Sequence, residues 1–160
     1  MFDRNLIKLT DILKQRQLTA ATAESCTGGL LSSRLTDISG SSEFVKLNFV
    51  TYAYEAKEEM LYIDKEFLEK YTAVSYECAK AMAEGLHKRT NCDLAICTTG
   101  IAGPTGGSKT KPVGLVYVSA LYEGKLLVKE FRLPKFLPRK LMKFCFTQKA
   151  IDTALELILQ

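Results

Sequence analysis

Asp93-Leu94-Ala95-Ile96-Cys97-Thr98-Thr99 runs straight into Gly100-Ile101-Ala102-Gly103-Pro104-Thr105-Gly106-Gly107. The first seven residues are a short apolar run, the pattern of a strand buried on both faces of a sheet. The next eight hold four glycines and a proline. So much glycine is costly in chain entropy, and a plain connection does not need it. Close approach of backbone to a ligand is one explanation, and a long hairpin loop is the other. The loop is neither a GxxxxGK[ST] phosphate loop nor a GxGxxG turn.

Working outward, Val113 to Tyr122 and Leu126 to Leu133 read as strands joined by a hairpin turn at Glu123-Gly124. Pro134 and Pro138 bracket a loop, and a last helix sets Phe144, Ile151, Leu155 and Ile158 on one face. Upstream, Ser75 is an N-cap for a helix to about Lys88, with Ala79, Met82 and Leu86 inward. Residues 55–61 and 65–70 read as short helices, and 44–53 as a strand. A turn at Asp37 to Ser42 follows a helix over Gly28 to Leu35, itself preceded by the β-tolerant stretch 19–23. Residues 3–16 form a helix with Asp3 as its cap and Leu6, Leu9 and Leu13 at helical spacing. Helices alternating with strands make the class α/β, and the hairpin makes the sheet mixed.

At 160 residues the chain is expected to be one domain, 1–160, able to bury a core without disulfides or metals. No apolar run reaches the ~18 residues of a membrane helix. Met1-Phe2-Asp3-Arg4-Asn5 lacks the basic-then-apolar pattern of a signal peptide, so a cytoplasmic protein is expected. A net charge of +4 with evenly spread basic residues does not argue for nucleic acid, and no helix-turn-helix or aromatic-interleaved basic surface is visible. Five cysteines without CxxC spacing argue against a disulfide framework and read as small buried hydrophobes. The single histidine, His87, reads as a surface residue, and its being alone excludes a multi-His metal site.

Three segments could carry chemistry. In Ala23-Glu24-Ser25-Cys26-Thr27-Gly28-Gly29 a strand meets a hydroxyl-rich helix start, whose free N–H groups could hold a phosphate or an oxyanion. Ser25 or Thr27 could be a nucleophile there, or the hydroxyls could merely cap the helix. The glycine-rich loop is the second segment. The third is Thr51-Tyr52-Ala53-Tyr54-Glu55-Ala56-Lys57, where a lysine near a helix start is disfavoured as a cation. A neutral lysine can activate a serine without histidine. The alternative is an ordinary solvated lysine. Lys109, Lys111, Arg139, Lys140 and Lys143 could meet a phosphate or simply face solvent.

Taken in order, these segments resemble the CinA C-terminal-domain family, the nicotinamide-nucleotide amidohydrolases. The resemblance rests on Thr22-Ala23-Glu24-Ser25-Cys26-Thr27-Gly28-Gly29, Gly40-Ser41-Ser42, Val50-Thr51-Tyr52 with Glu55-Ala56-Lys57, and Ala73-Val74-Ser75. Thr99 to Pro104 with Gly106-Gly107, and Lys111-Pro112-Val113-Gly114, complete it. It implies a three-layer α/β/α sandwich, commonly homo-oligomeric, that hydrolyses the carboxamide of nicotinamide mononucleotide with a serine, a lysine and neither metal nor cofactor. By motif, Ser25 becomes the nucleophile and Lys57 the base, with Tyr52 hydrogen-bonding one of them. The same resemblance assigns substrate contacts to Glu24, Thr27, Gly28, Gly29, Ser42, Thr99, Gly100, Gly103, Gly106, Gly107 and Arg139. Backbone N–H groups near Thr27 and Gly28 become the oxyanion or phosphate donors. The chain departs from the family pattern at Asn48, Tyr54 and Thr72, where glycine, asparagine and glycine are usual. Arg139 and Lys143 fit the place of a family arginine pair. The alternative function is a nucleotide-binding or regulatory member that has lost catalysis, or an amidase with another substrate. Small mononucleotides, not nucleic acid or membrane, are the expected partners.

Overall fold

The computed structural model describes residues 3–160. Met1 and Phe2, part of the stretch read above for a leader, lie outside the described residues. Helix α1 (Arg4–Gln15) starts where Asp3 Oδ1 accepts from the amides of Asn5 and Leu6, and it buries Leu6, Leu9 and Leu13. Strand β1 (Ala20–Glu24) is buried throughout. Helix α2 (Leu30–Thr36), a 3-10 turn at Ser41–Glu43 and strand β2 (Val45–Val50) follow. Next come α3 (Tyr54–Leu61), α4 (Lys65–Tyr71) and α5 (Tyr76–Thr90), the last capped by Ser75 Oγ accepting from Cys78 N at 3.0 Å. The chain ends with β3 (Leu94–Gly100), β4 (Leu115–Tyr122), β5 (Lys125–Arg132) and α6 (Arg139–Ile158).

The five strands form one mixed sheet in the order β2-β1-β3-β4-β5. β2, β1 and β3 are parallel, and β3, β4 and β5 are antiparallel neighbours. Glu123 and Gly124 both take positive φ in the β4–β5 turn, as a two-residue hairpin of type I′ requires. One core joins α1, α2 and α6 to one face of the sheet, and a second joins α3, α4 and α5 to the other. The side-chain period of two explains the division: Leu94 and Ile96 enter the first core, Ala95 and Cys97 the second. The fold is therefore a three-layer α/β/α sandwich.

Three local expectations need correction. α2 begins at Leu30, not Gly28, because Gly28 and Gly29 take φ of +60° and +96°, outside the right-handed helix. The β2 strand stops at Val50, before Thr51-Tyr52-Ala53. Phe144 leaves the buried stripe of α6 and stacks over the Arg34 guanidinium, 4.3 Å from ring centroid to cation carbon. His87 is exposed, with Nδ1 2.9 Å from the Cys92 carbonyl.

Candidate active site

The carboxyl ends of the three parallel strands meet on one edge of the sheet, beside the point where the connections from β1 and β3 diverge. Open α/β sheets place ligands there. Strand alternation sends the two residues at the end of β1 to opposite faces. Ala20, Thr22 and Glu24 point toward α2, while Ala21, Ala23 and Ser25 point toward α3 and α5.

Glu24 is fully buried and does not face a ligand. Its carboxylate accepts from the amides of Gly29 (3.1 Å), Leu31 (2.9 Å) and Ser32 (2.7 Å), and from the hydroxyls of Thr27 (2.6 Å) and Ser32 (2.6 Å). Thr27 Oγ1 also meets Thr98 Oγ1 at 2.7 Å. The helix-start N–H groups expected to bind an anion are thus occupied from inside the protein. Gly28 N donates to Ser25 O and Leu30 N to Thr27 O. Among the described residues, the amides of Cys26 and Thr27 are the ones in this turn that donate to no protein acceptor.

Ser25 is fixed by its amide, which donates to Thr98 O at 3.0 Å. Its Oγ lies 3.1 Å from Lys57 Nζ. Lys57, in the first turn of α3, has no solvent exposure at all. Its other partners are the backbone carbonyls of Thr51 (2.6 Å) and Tyr52 (3.4 Å), so every acceptor is an uncharged oxygen. Burial holds the Lys57 ammonium well below the usual lysine range. Cys78 and Cys26, the groups that would oppose this as thiolates, stay protonated, because burial pushes their thiols up to about 11 and about 12. Helix position was the reason read from the sequence; loss of solvent is the larger cause.

Lys57 Nζ has three oxygen neighbours, and once neutral it can give two N–H groups to the carbonyls and turn its lone pair to the Ser25 hydroxyl. The two residues just past the end of β2 supply those carbonyls, which no residue-type pattern reveals. Thr51 Oγ1, buried beside them, has no hydrogen-bond partner among the described residues. The Tyr52 phenol takes no part here: it is 58% exposed and accepts from Arg139 Nη2 at 3.2 Å.

Cys26, Tyr52, Gly100 to Gly103, Thr105, Gly106 and Arg139 line an adjoining cavity of about 210 Å³. Arg139 Nη1 donates to Gly103 O at 2.5 Å, tying the glycine-rich loop to α6. Thr99 and Gly107 support this loop from behind. Thr99 Oγ1 donates to Ala73 O at 2.6 Å, and a Cβ on Gly107 would stand 2.7 Å from Val113 N. Ser42 does not join the site. It sits in the turn before β2, at the amino ends of the parallel strands, roughly 15 Å away along them. Lys143 does join it: its Nζ would lie 3.3 Å from a Cβ at Gly28. The signal for Lys143 was its spacing of four from Arg139, which puts both on one side of a helix.

The fold and the site define a mixed-sheet α/β/α domain with a serine and a buried lysine at the strand ends. The CinA C-terminal domain family matches residues 5–159, and the chain belongs to that family. A Thermoanaerobacter protein named as competence-damage inducible is 52% identical over 122 residues, covering 76% of this chain and 30% of that one. A CinA-like protein of Dictyoglomus thermophilum is 47% identical over 125 residues, again with 30% of its length covered. The chain thus spans about 30% of the length of the curated relatives it matches. The crystal structure of the competence/damage inducible protein CihA from Agrobacterium tumefaciens aligns with a TM-score of 0.90 at 37% identity, covering 99% of this chain and 98% of that one.

Proposed function

We propose that the chain hydrolyses the carboxamide of nicotinamide mononucleotide to nicotinate mononucleotide and ammonia. The observation that carries this reading is Ser25 Oγ at 3.1 Å from a fully buried Lys57 Nζ with only uncharged partners. The substrate comes from the family resemblance. Neutral Lys57 takes the Ser25 proton as Oγ attacks the carboxamide carbon. The amides of Cys26 and Thr27 stabilise the oxyanion. The lysine then returns its proton to the leaving nitrogen, which departs as ammonia and leaves an acyl ester on Ser25. Water attacks the ester, its proton passes to Lys57, and nicotinate mononucleotide leaves as Ser25 recovers its hydrogen.

Ammonia release from the mononucleotide tests this, with Ser25→Ala and Lys57→Ala as controls. Wild type is expected to turn over and both variants to fall ~100-fold or more. Silence from wild type where a known amidohydrolase responds would sink the reading. A rise in melting temperature with nucleotide, without turnover, would favour the binding or regulatory alternative.

A further inference from the structure

We propose that Thr51 is a positioning residue for the reaction: its side-chain hydroxyl turns to accept a hydrogen bond from the Lys57 ammonium formed when Ser25 gives up its proton. This rests on the Ser25–Lys57 reading above and adds a residue outside that pair. In register, Glu24 lies between Val50 on β2 and Thr98 on β3. One residue further on, Thr51 N donates to Glu24 O at 2.8 Å and Ser25 N to Thr98 O at 3.0 Å, so both ladders run past the strand ends. Ser25 therefore stands between Thr51 and Thr99, about 5 Å from each across the sheet. Alternation turns this row toward α3 and α5, because Ala23 and Phe49, in register two residues earlier, pack into that second core.

Two of the three hydroxyls in the row are spent. Ser25 Oγ meets Lys57 Nζ, and Thr99 Oγ1 donates to Ala73 O. Thr51 is fully buried, yet its hydroxyl has no partner among the described residues. Leaving a buried hydroxyl unpaired is costly. The carbonyl of the same residue is the shortest contact of Lys57 Nζ, at 2.6 Å. Rotation about Thr51 χ1 brings a second oxygen of that residue toward the same nitrogen.

The number of protons on Nζ sets when this oxygen is needed. The proton from Ser25 makes an ammonium with three N–H groups and no lone pair. One of the three passes on to the leaving nitrogen. The two that stay have one close acceptor, Thr51 O, since Tyr52 O is 3.4 Å away. Thr51 Oγ1 supplies the other. The thiols that act on Lys57, Cys78 on α5 and Cys26 in the β1–α2 turn, stay protonated, with Lys111 acting on the first and Lys143 on the second. The Glu24 carboxylate is spent on α2, across the sheet. Uncharged oxygens are thus what meets the new charge. A hydrogen bond made only to the charged form favours the transition state over the bound substrate.

The test compares wild type with Thr51→Val, which keeps the branched shape without the hydroxyl, and Thr51→Ser, which keeps the hydroxyl. In ammonia release from nicotinamide mononucleotide, Thr51→Val is expected to lower kcat at least ~10-fold with KM changed less than ~2-fold, and Thr51→Ser to stay within ~3-fold of wild type. The denaturant midpoint of Thr51→Val is expected to equal or exceed that of wild type, because the hydroxyl is unspent at rest. An unchanged kcat in Thr51→Val overturns the proposal. So does a fall in kcat that comes with a lower midpoint and is not rescued in Thr51→Ser. A second readout needs no turnover: a carbon NMR titration of Lys57 Cε, assigned by its loss in Lys57→Met. In Thr51→Val this signal is expected to titrate ~1 pH unit lower than in wild type. Equal titration overturns the Thr51 assignment while leaving the Ser25–Lys57 reading standing. The expected difference in a chain that releases no ammonia supports the Thr51–Lys57 contact and sinks the amidohydrolase reading alone.

Discussion

At the residue scale, the proposed chemistry turns on Lys57, which gives up solvent without gaining a carboxylate. In the proposed reaction its neutral form is the working form, and its pKa lies below the ordinary 10.5. Activity should therefore rise with pH through that lowered pKa, giving an acid limb in kcat/KM well below pH 10.5. A pH–rate profile checks this; a limb at ordinary lysine values would contradict it. Thr72 is a second informative residue. It takes φ +64° and ψ +164°, a region almost reserved for glycine, and its Oγ1 accepts from Lys111. Thr72→Gly should stabilise the protein by about 1 kcal/mol despite losing that contact, read as a higher denaturant midpoint.

At the scale of elements, the β1–α2 turn is held by one carboxylate. Glu24→Gln puts an NH₂ group among backbone donors and leaves amides unsatisfied. It should cost about 2–3 kcal/mol and reduce activity by displacing Ser25. Chemical denaturation and single-turnover kinetics on the same variant separate the two effects. The α3–α5 contact is equally tight: a Cβ on Gly85 would fall 2.0 Å from Leu61 O. Gly85→Ala should push α3 outward, cost about 1–3 kcal/mol and lengthen the Lys57–Ser25 contact, visible as lost turnover before lost fold.

These elements also mark how far the sequence can be read. Buried strands, amphipathic helices and the Ser75 cap were legible because they depend on local period and local side chains. The start of α2 was not, since it turns on two positive φ angles. Ser25 and Lys57 stood out as a motif, but the Thr51 and Tyr52 carbonyls that hold Lys57 are backbone groups with no residue signature. Lys143 was ambiguous because its meeting with Gly28 joins chain positions 115 apart (143 minus 28), which only tertiary packing settles. Ser42 shared a motif with the site yet falls at the far strand ends.

At the scale of the whole molecule, the buried lysine couples the site to global stability. Between its lowered folded pKa and the 10.5 of the exposed side chain, the unfolded chain binds a proton that the folded chain refuses. Stability contributed by Lys57 is thus full above pH 10.5 and is lost as pH falls to the folded pKa. Relative to Lys57→Met, wild type should weaken by about 1.4 kcal/mol per pH unit across that window and then level off. Unfolding curves at a series of pH values measure the slope; a flat difference would contradict the burial argument.

The division of the site along the chain has a consequence for its history. Ser25 and Lys57 both precede β3, whereas Arg139 and Lys143 ride on α6, beyond a loop where Phe136 is 81% exposed. A recombination crossover in that loop would exchange the helix whose Arg139 lines the cavity and leave the Ser25–Lys57 pair untouched. The incoming segment would have to reproduce a buried face that includes Met142, Phe146, Thr147, Ala150, Ile151, Ala154, Leu157 and Ile158. Under the proposed function, bond breaking and ligand contact therefore lie on separable stretches of the chain.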